Sequence, residues 1–389
     1  MPFVDEQRNS MGAVCQSTVA SVRARAQTWL MIEGLDITPM RLGVWLGAHV
    51  DGFHGLQNVV KFKTGQSNPT YRIDAHSGRY VLRAKPAGRL LPSAHMVERE
   101  FRVMAALAQS AVPVARMYCL AETDASPIGR AFYVMEYVQG RIFWDPALPE
   151  LRRDQRAPVY DAMNATLARL HGVDVDAAGL GDFGKPGNYF ARQTERWSAQ
   201  YSATVLRANA DMDRVIGWLA ANQPPDDGQV ALVHGDFRID NMIFHRHEPR
   251  VVAVLDWELS TLGHPLADLA YQCCQLELPH QGVLRGLGGL DRAALGLPDT
   301  ADYVAAYARR RALGDIKNWN FYMAFSYFRV AAILAGVVRR AHDGNASNPA
   351  SAEKYARVVP VLAKMAVGAS EAGEGLRLVS DVGGGPRPS

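Results

Sequence analysis

The sequence predicts an α+β protein of two lobes, a small β-rich lobe followed by a larger, mostly helical one. Three observations carry this. Short stretches with two-residue alternation crowd the segment from about 59 to 137. Beyond 138, apolar residues recur at helical spacing. The bulk composition is that of an ordinary globular chain, with 389 residues, 48% hydrophobic and 21% charged, enough to bury a sizeable core.

The elements follow in order. Residues 1–36 show weak periodicity and are expected to be an N-terminal extension, partly disordered. Thr38-Pro39 is a helix start signal, followed by Leu42, Trp45 and Leu46 on one face. Strands are predicted over 59–63 and 71–74, flanking a turn that contains Gly65, Gln66, Ser67 and Asn68. A third, over 80–85, places Val81, Arg83 and Lys85 on one face. A helix from about Ser93 carries Val97, Phe101, Met104 and Ala108 as its apolar stripe, and a short apolar strand over 131–137 closes a lobe spanning 37–137. The second lobe, 138–370, opens on a helix marked by Val159, Met163, Leu167 and Leu170. A polar, aromatic stretch over 184–201 and a helix near Trp218 come next, and strands over 230–233 and 251–255 bracket a loop. Everything after Pro265 reads as helical until a Gly/Pro-rich tail, 371–389, which is expected to be disordered.

The bulk numbers exclude several classes. A net charge of +3 is too small to imply nucleic acid or a membrane surface, so neither is expected as a partner. Four cysteines, Cys15, Cys119, Cys273 and Cys274, form no CxxC pair and no disulfide framework, and read as buried reduced thiols. The charged N-terminal stretch lacks an apolar leader, and the apolar run over 321–338 carries Arg329 at its middle. Both features lead to the expectation of a cytoplasmic protein with a buried core helix.

The loop after 233 concentrates the chemistry. It reads His234-Gly235-Asp236-Phe237-Arg238-Ile239-Asp240-Asn241, and the following strand delivers Asp256. Transfer of a phosphoryl group needs a carboxylate beside the acceptor hydroxyl, oxygen ligands for a bridging Mg²⁺, and positive charge on the remaining phosphates. Asp236 suits the first role, Asn241 and Asp256 the second. A rival reading takes His234, Asp236, Asp256, His264 and Asp268 as ligands of a hydrolytic metal centre, but leaves the β-rich lobe without a role.

The runs HGDFRIDN at 234–241, VLDWE at 254–258 and HPLADLA at 264–270 resemble the aminoglycoside phosphotransferase and choline kinase superfamily, which has a protein-kinase-like fold. More narrowly, GQSNPTY at 65–71, YVLRAKP at 80–86, REFRVMAAL at 99–107 and FYVMEYVQGRIF at 132–143 are similar to the kinase domain found in or beside acyl-CoA dehydrogenases of the family-10 and family-11 type. The likeness extends over about 36–366 and implies an ATP- and Mg²⁺-dependent enzyme. It implies Asp236 as the catalytic aspartate, Asn241 and Asp256 as metal ligands, and His234 and Asp268 as supports of the loop. It also implies a phosphate-covering turn at Gly65, Gln66, Ser67 and Asn68, and adenine contacts from the backbone near Glu136 and Val138. Where the family has a lysine for the phosphates this chain has Arg83, with Lys85 on the same face; Glu100, in preference to Glu98, is its implied partner.

The acceptor is harder to read. From 281 to 345 there are nine Lys/Arg against five Asp/Glu, and Arg192, Arg196, Trp197 and Arg329 add basic and aromatic surface, so an anionic hydroxylated small molecule is expected at those residues. The resemblance implies a hydroxyacyl-CoA of the 4-hydroxy type, with a separate acyl-CoA dehydrogenase as functional partner. A kinase of an aminoglycoside, choline or another small alcohol, and a nucleotide-binding pseudokinase, are the alternatives.

Overall fold

The computed structural model describes residues 31–62, 68–88, 95–344 and 352–373, and the backbone of 375–376. Chain contacts divide it into two units: one comprises residues up to 105 and 115–137, the other 106–114 and 138 onward.

The first unit is built on a five-stranded antiparallel sheet, order β1-β2-β3-β5-β4, from β1 (Leu56–Lys61), β2 (Thr70–Ala75), β3 (Gly78–Ala84), β4 (Met117–Ala121) and β5 (Phe132–Glu136). Helix α1 (Pro39–His49) starts where the sequence signals it: Pro39 occupies the first turn and Thr38 Oγ1 accepts from Arg41 N at 3.4 Å. Its Leu42 and Leu46 pack on Tyr71, Ile73, Leu82, Phe132 and Val134. Alternation along β3 sends Tyr80, Leu82 and Ala84 into this core and leaves Arg83 for the opposite face, where α2 (Val97–Leu107) lies.

The lobe begins earlier than position 37. Ile32 and Leu35 belong to its core, Tyr71 OH donates to the Glu33 carbonyl at 3.0 Å, and the Arg130 guanidinium donates to the Gly34 carbonyl. Residues 1–30, with Cys15, lie outside the described residues.

The second unit is mostly helical: α3 (Arg153–Leu170), α4 (Tyr189–Thr204), α5 (Ala210–Ala221), α6 (Pro265–Glu277), α7 (Arg292–Leu295), α8 (Thr300–Arg311), α9 (Trp319–His342) and α10 (Ala352–Glu371). Val159, Met163, Leu167 and Leu170 are all buried on α3, as their spacing predicts. Among the described residues α9 is the one helix long and apolar enough to cross a membrane, and 83% of that stretch is buried inside the protein. It packs against α4, α5, α6 and α10 as the central helix of the unit.

Two expectations change. The chain after Pro265 is not uniformly helical, since 278–291 is irregular and β10 (Ile316–Lys317) precedes α9. The tail contributes structure too, because β11 (Gly375–Leu376) pairs antiparallel with β10.

Two small ladders position the loop after 233. β6 (Ala231–Val233) pairs with β9 (Thr261–Gly263), and β7 (Met242–Phe244) pairs with β8 (Val251–Val254), all antiparallel. The chain therefore leaves β6 into the loop, folds back through β7 and β8 to Asp256, and returns by β9 to the start of α6.

Candidate active site

The loop backbone is fixed from below by one carboxylate. Asp268, on the first turn of α6 and 1% exposed, accepts from His234 N at 2.5 Å and Gly235 N at 2.8 Å. His171 Nε2 lies 3.3 Å from the same carboxylate, and its Nδ1 is 2.7 Å from Tyr307 OH. Burial works against the Asp268 charge, but the His171 ring and the loop N–H groups outweigh it, and the carboxyl is held below its ordinary value. Gly235 takes φ +82, and a Cβ there would stand 2.7 Å from the Leu259 carbonyl oxygen, so the turn admits only glycine.

His234 is fully buried and spans the loop: its Nδ1 accepts from Asp236 N at 3.2 Å, while Nε2 donates to the Leu255 carbonyl at 2.9 Å. Those two partners require the tautomer protonated at Nε2, leaving neither nitrogen for proton transfer. Arg329 reinforces the same turn, donating from Nη2 to the Gly235 carbonyl at 2.8 Å. Its guanidinium stacks 5.7 Å from the Trp197 ring and 5.5 Å from the Tyr271 ring.

Asp236 itself is held at both oxygens. Tyr271 OH donates to Oδ1 at 2.5 Å and Asn241 Nδ2 to Oδ2 at 2.9 Å, with Arg238 Nε 3.7 Å from Oδ1. Burial, reinforced by the Asp236 charge, pushes the Tyr271 hydroxyl far above its ordinary value, so it remains a donor. Arg238 is also bonded to Asp240. Burial opposes its charge, but Asp236 and Asp240 together hold the guanidinium above its usual value. Each Asp236 oxygen keeps a second lone pair beyond these bonds.

Asn241 also donates to the Asp236 carbonyl at 2.9 Å, so its Nδ2 is committed to the loop and its Oδ1 has no protein partner among the described residues. The Leu255 N–H donates to the Asn241 carbonyl at 2.8 Å, which sets the next residue, Asp256, beside Asn241. Asp256 sits in the left-handed region, φ 64 and ψ 61, a conformation that costs a non-glycine residue about 1–3 kcal/mol and gathers at functional sites. An amide oxygen and a carboxylate are donor types that suit a hard cation such as Mg²⁺. The five-residue metal centre of the rival reading does not form. His264 caps α6 and faces Asp227 at 3.2 Å, Asp268 holds the loop, and no group of three or more His, Cys, Asp or Glu gathers around a metal position among the described residues.

In the first unit the basic strand and the acidic helix meet twice. Arg83 Nε is 2.9 Å from Glu100 Oε2, and Lys85 Nζ is 2.5 Å from Glu98 Oε1. The first pair is the buried one: Glu100 is 1% exposed and also accepts from Asn68 Nδ2 at 2.8 Å and Tyr133 OH at 3.1 Å. Arg83 thus makes the strand-to-helix ion pair that a lysine would make in a kinase lobe. Asn68, expected in the phosphate-covering turn, has a buried side chain engaged with Glu100 and, at 2.9 Å, with His95 Nδ1. Gly65, Gln66 and Ser67 lie outside the described residues. Glu136 is exposed at the end of β5, where its N–H donates to the Arg116 carbonyl at 2.8 Å, and Val138 is half-buried.

The expected acceptor residues do not gather on one surface. Arg329 and Trp197 are buried under the loop, 6% exposed each. Arg192 is half-buried and donates to the carbonyls of Lys185, at 2.5 Å, and Pro186, while exposed Arg196 stacks on Trp197. Sequence reasoning missed Tyr271, Tyr133, His171 and the role of Asn68. The signal for Tyr271 was present: Asp268, Tyr271, Gln272 and Gln275 form a polar stripe at i, i+3, i+4 and i+7 on an α6 that is otherwise apolar up to its last residue, Glu277.

Comparison with known proteins identifies the family and the fold. The family described as "Phosphotransferase enzyme family" matches residues 58–313. Mouse acyl-CoA dehydrogenase family member 10 is 47% identical over 322 residues, covering 82% of this chain and 30% of that protein. The chain thus spans under a third of that relative's length. A crystal structure from Ralstonia eutropha, provisionally named an aminoglycoside phosphotransferase, is 47% identical and superposes with a TM-score of 0.77 over 85% of this chain and 98% of its own. A mutant aminoglycoside phosphotransferase APH(4)-Ia, solved with AMP-PNP and hygromycin B, superposes with a TM-score of 0.56 at 16% identity over 85% of this chain and 99% of its own, a likeness of fold alone. With a family match across both units and a full-length structural relative at 47% identity, the chain belongs to the phosphotransferase enzyme family and is an enzyme that transfers a phosphoryl group to a hydroxyl.

Proposed function

We propose that this protein is an ATP- and Mg²⁺-dependent O-phosphotransferase whose acceptor is a hydroxyacyl-CoA of the 4-hydroxy type. The observation that carries the reaction is the carboxylate of Asp236, held on both oxygens by Tyr271 and Asn241 yet with a lone pair left on each. Asp236 orients the acceptor hydroxyl and takes its proton as the oxygen bonds to the γ-phosphorus of ATP and the bond from that phosphorus to the leaving ADP oxygen breaks. Tyr271 and Asn241 fix its direction, and Arg238 offsets its charge. Bound Mg²⁺·ATP supplies the phosphoryl group and the neutralisation of its charge. Asn241 Oδ1 and Asp256 would hold the metal, and Arg83, paired with buried Glu100, would supply positive charge to the phosphates. Asp268, His171, His234 and Arg329 hold the loop in place, and much of the rate enhancement of phosphoryl transfer comes from such positioning.

The acceptor class rests on the 47% identity to a relative named for acyl-CoA dehydrogenation. In this reading the phosphorylated acyl chain passes to a separate acyl-CoA dehydrogenase, since phosphate is a better leaving group than hydroxide. The test is incubation with Mg²⁺·ATP and, in parallel, 4-hydroxyacyl-CoA, 3-hydroxyacyl-CoA, free hydroxy acids, choline and an aminoglycoside, with mass spectrometry of the products. A phosphorylated hydroxyacyl-CoA is the expected product; phosphorylation of choline or the aminoglycoside alone contradicts the acceptor assignment.

A further inference from the structure

A cavity of about 440 Å³ opens within the second unit beside the catalytic loop, a volume in the range of small-molecule sites. Arg238 and Asp240 bring the loop into its wall, and Arg238 Nε lies 3.7 Å from Asp236 Oδ1, so the cavity adjoins the carboxylate that meets the acceptor hydroxyl. Trp144, Val283 and Arg285 line it from outside the loop, and all three are accessible: Trp144 is 63% exposed, Val283 45% and the Arg285 side chain 59%. Tryptophan is seldom left so open, and large apolar side chains exposed together beside a cavity mark a surface that a ligand covers.

The two guanidiniums of the wall differ. Arg238 is committed to the loop, bonded to Asp240 and close to Asp236. Arg285 has a single carboxylate partner, donating from Nη1 to Asp145 Oδ2 at 3.2 Å. Asp145 is fixed in turn, because its Oδ1 accepts from Ala147 N at 2.9 Å. A guanidinium carries five N–H donors in a planar fork. With Nη1 gripped by Asp145, Nε and Nη2 of Arg285 have no protein partner among the described residues. Such a pair of parallel donors matches a carboxylate or a phosphate. Arg285 also belongs to the basic stretch over 281–345, whereas Arg192 and Arg329 donate to backbone carbonyls elsewhere.

We infer that Arg285 is a specificity-determining residue of the acceptor site, reading an anionic group, phosphate or carboxylate, on the molecule whose hydroxyl meets Asp236. Trp144 and Val283 cover the chain between those two ends. The inference rests on the proposed function, within which the anion is a phosphate of CoA; a free hydroxy acid offers its carboxylate to the same fork.

Calorimetric titration of the full chain, without ATP, compares a 4-hydroxyacyl-CoA, the same acyl group on uncharged pantetheine, and the free 4-hydroxy acid. The CoA thioester is expected to bind about ten-fold or more tightly than the pantetheine thioester. That preference should disappear in Arg285→Gln and survive in part in Arg285→Lys, which keeps the charge without the fork. Trp144→Ala should weaken both thioesters together. A preference for the free acid over the pantetheine thioester, governed by Arg285, supports the inference with carboxylate as the anion and contradicts the CoA acceptor. Equal binding of charged and neutral forms by the unaltered protein overturns the inference, as does binding of none of the three. So does an Arg285→Gln protein that weakens the neutral thioester as much as the charged one, or a Trp144→Ala protein with unchanged affinity for both. Turnover is scored separately: an acceptor that binds in this pattern and is not phosphorylated sinks the proposed function and leaves the anion site standing.

Discussion

Replacing Asp268 with Asn removes one charge and one acceptor oxygen from under the catalytic loop. The carboxylate takes bonds from His234 N at 2.5 Å, Gly235 N at 2.8 Å and His171 Nε2 at 3.3 Å, and an amide of the same shape can accept at only one oxygen. At least one donor is then left facing an NH₂ group in a site that is 1% exposed. Losing a charge-assisted bond costs about 1.5–3 kcal/mol and orphaning the buried donor about 1–3, so a loss of about 2.5–6 kcal/mol is expected. That is a large part of the 5–15 kcal/mol typical of a folded protein. Urea unfolding followed by circular dichroism measures it. The sign with pH follows from the depressed carboxyl of Asp268: its contribution is present above the unfolded value of about 3.9 and is lost as pH falls through the lower folded value. The parent should therefore lose stability in that acid window, and Asp268→Asn should lose less there. A variant within about 1 kcal/mol of the parent at neutral pH would refute the claim that this carboxylate holds the loop.

Three further outcomes are expected. Glu100→Ala strips a shared acceptor from Arg83, Asn68 and Tyr133 and should destabilise by about 3 kcal/mol or more, whereas Glu98→Ala, in a partly exposed pair with Lys85, should cost about 1 or less; chemical denaturation of both separates them. Gly235→Ala forces a Cβ to 2.7 Å from the Leu259 carbonyl at φ +82, and should cost about 1–3 kcal/mol and at least ten-fold in kcat, seen in steady-state kinetics of the purified variant. Cys273 and Cys274 are fully buried and burial pushes their thiols up, so they should resist alkylation in native protein and react in denaturant, counted by mass spectrometry.

Local signals were legible where they are short-range. The alternation in β2, β3 and β5, the Thr38-Pro39 cap and the apolar spacing of α3 each reflect one element's own chemistry, and each matches its element to within a few residues. The loop from His234 to Asn241 and the strand leading to Asp256 were legible for the same reason. Partnerships across the chain were not. An apolar count centred α2 on Val97, Phe101 and Met104, yet Ala108 is exposed and the buried stripe runs through Glu100, a charge that hydrophobic periodicity does not register. Ile32 and Leu35 are too few to show a period, although tertiary contacts bury them, and the two residues of β11 carry no pattern at all. Arg329 was read as facing an anion because its helix is apolar; the anion's place is taken by a backbone carbonyl and two aromatic rings.

The central claim is that Asp236 positions the acceptor hydroxyl while other residues hold ATP. The direct measurement compares the unaltered protein with Asp236→Asn for two quantities: phosphorylated hydroxyacyl-CoA formed from Mg²⁺·ATP, and ATP bound at equilibrium. The expected result is a loss of turnover of about 10²–10⁴-fold with ATP affinity little changed. Near-parental turnover in Asp236→Asn would contradict the account.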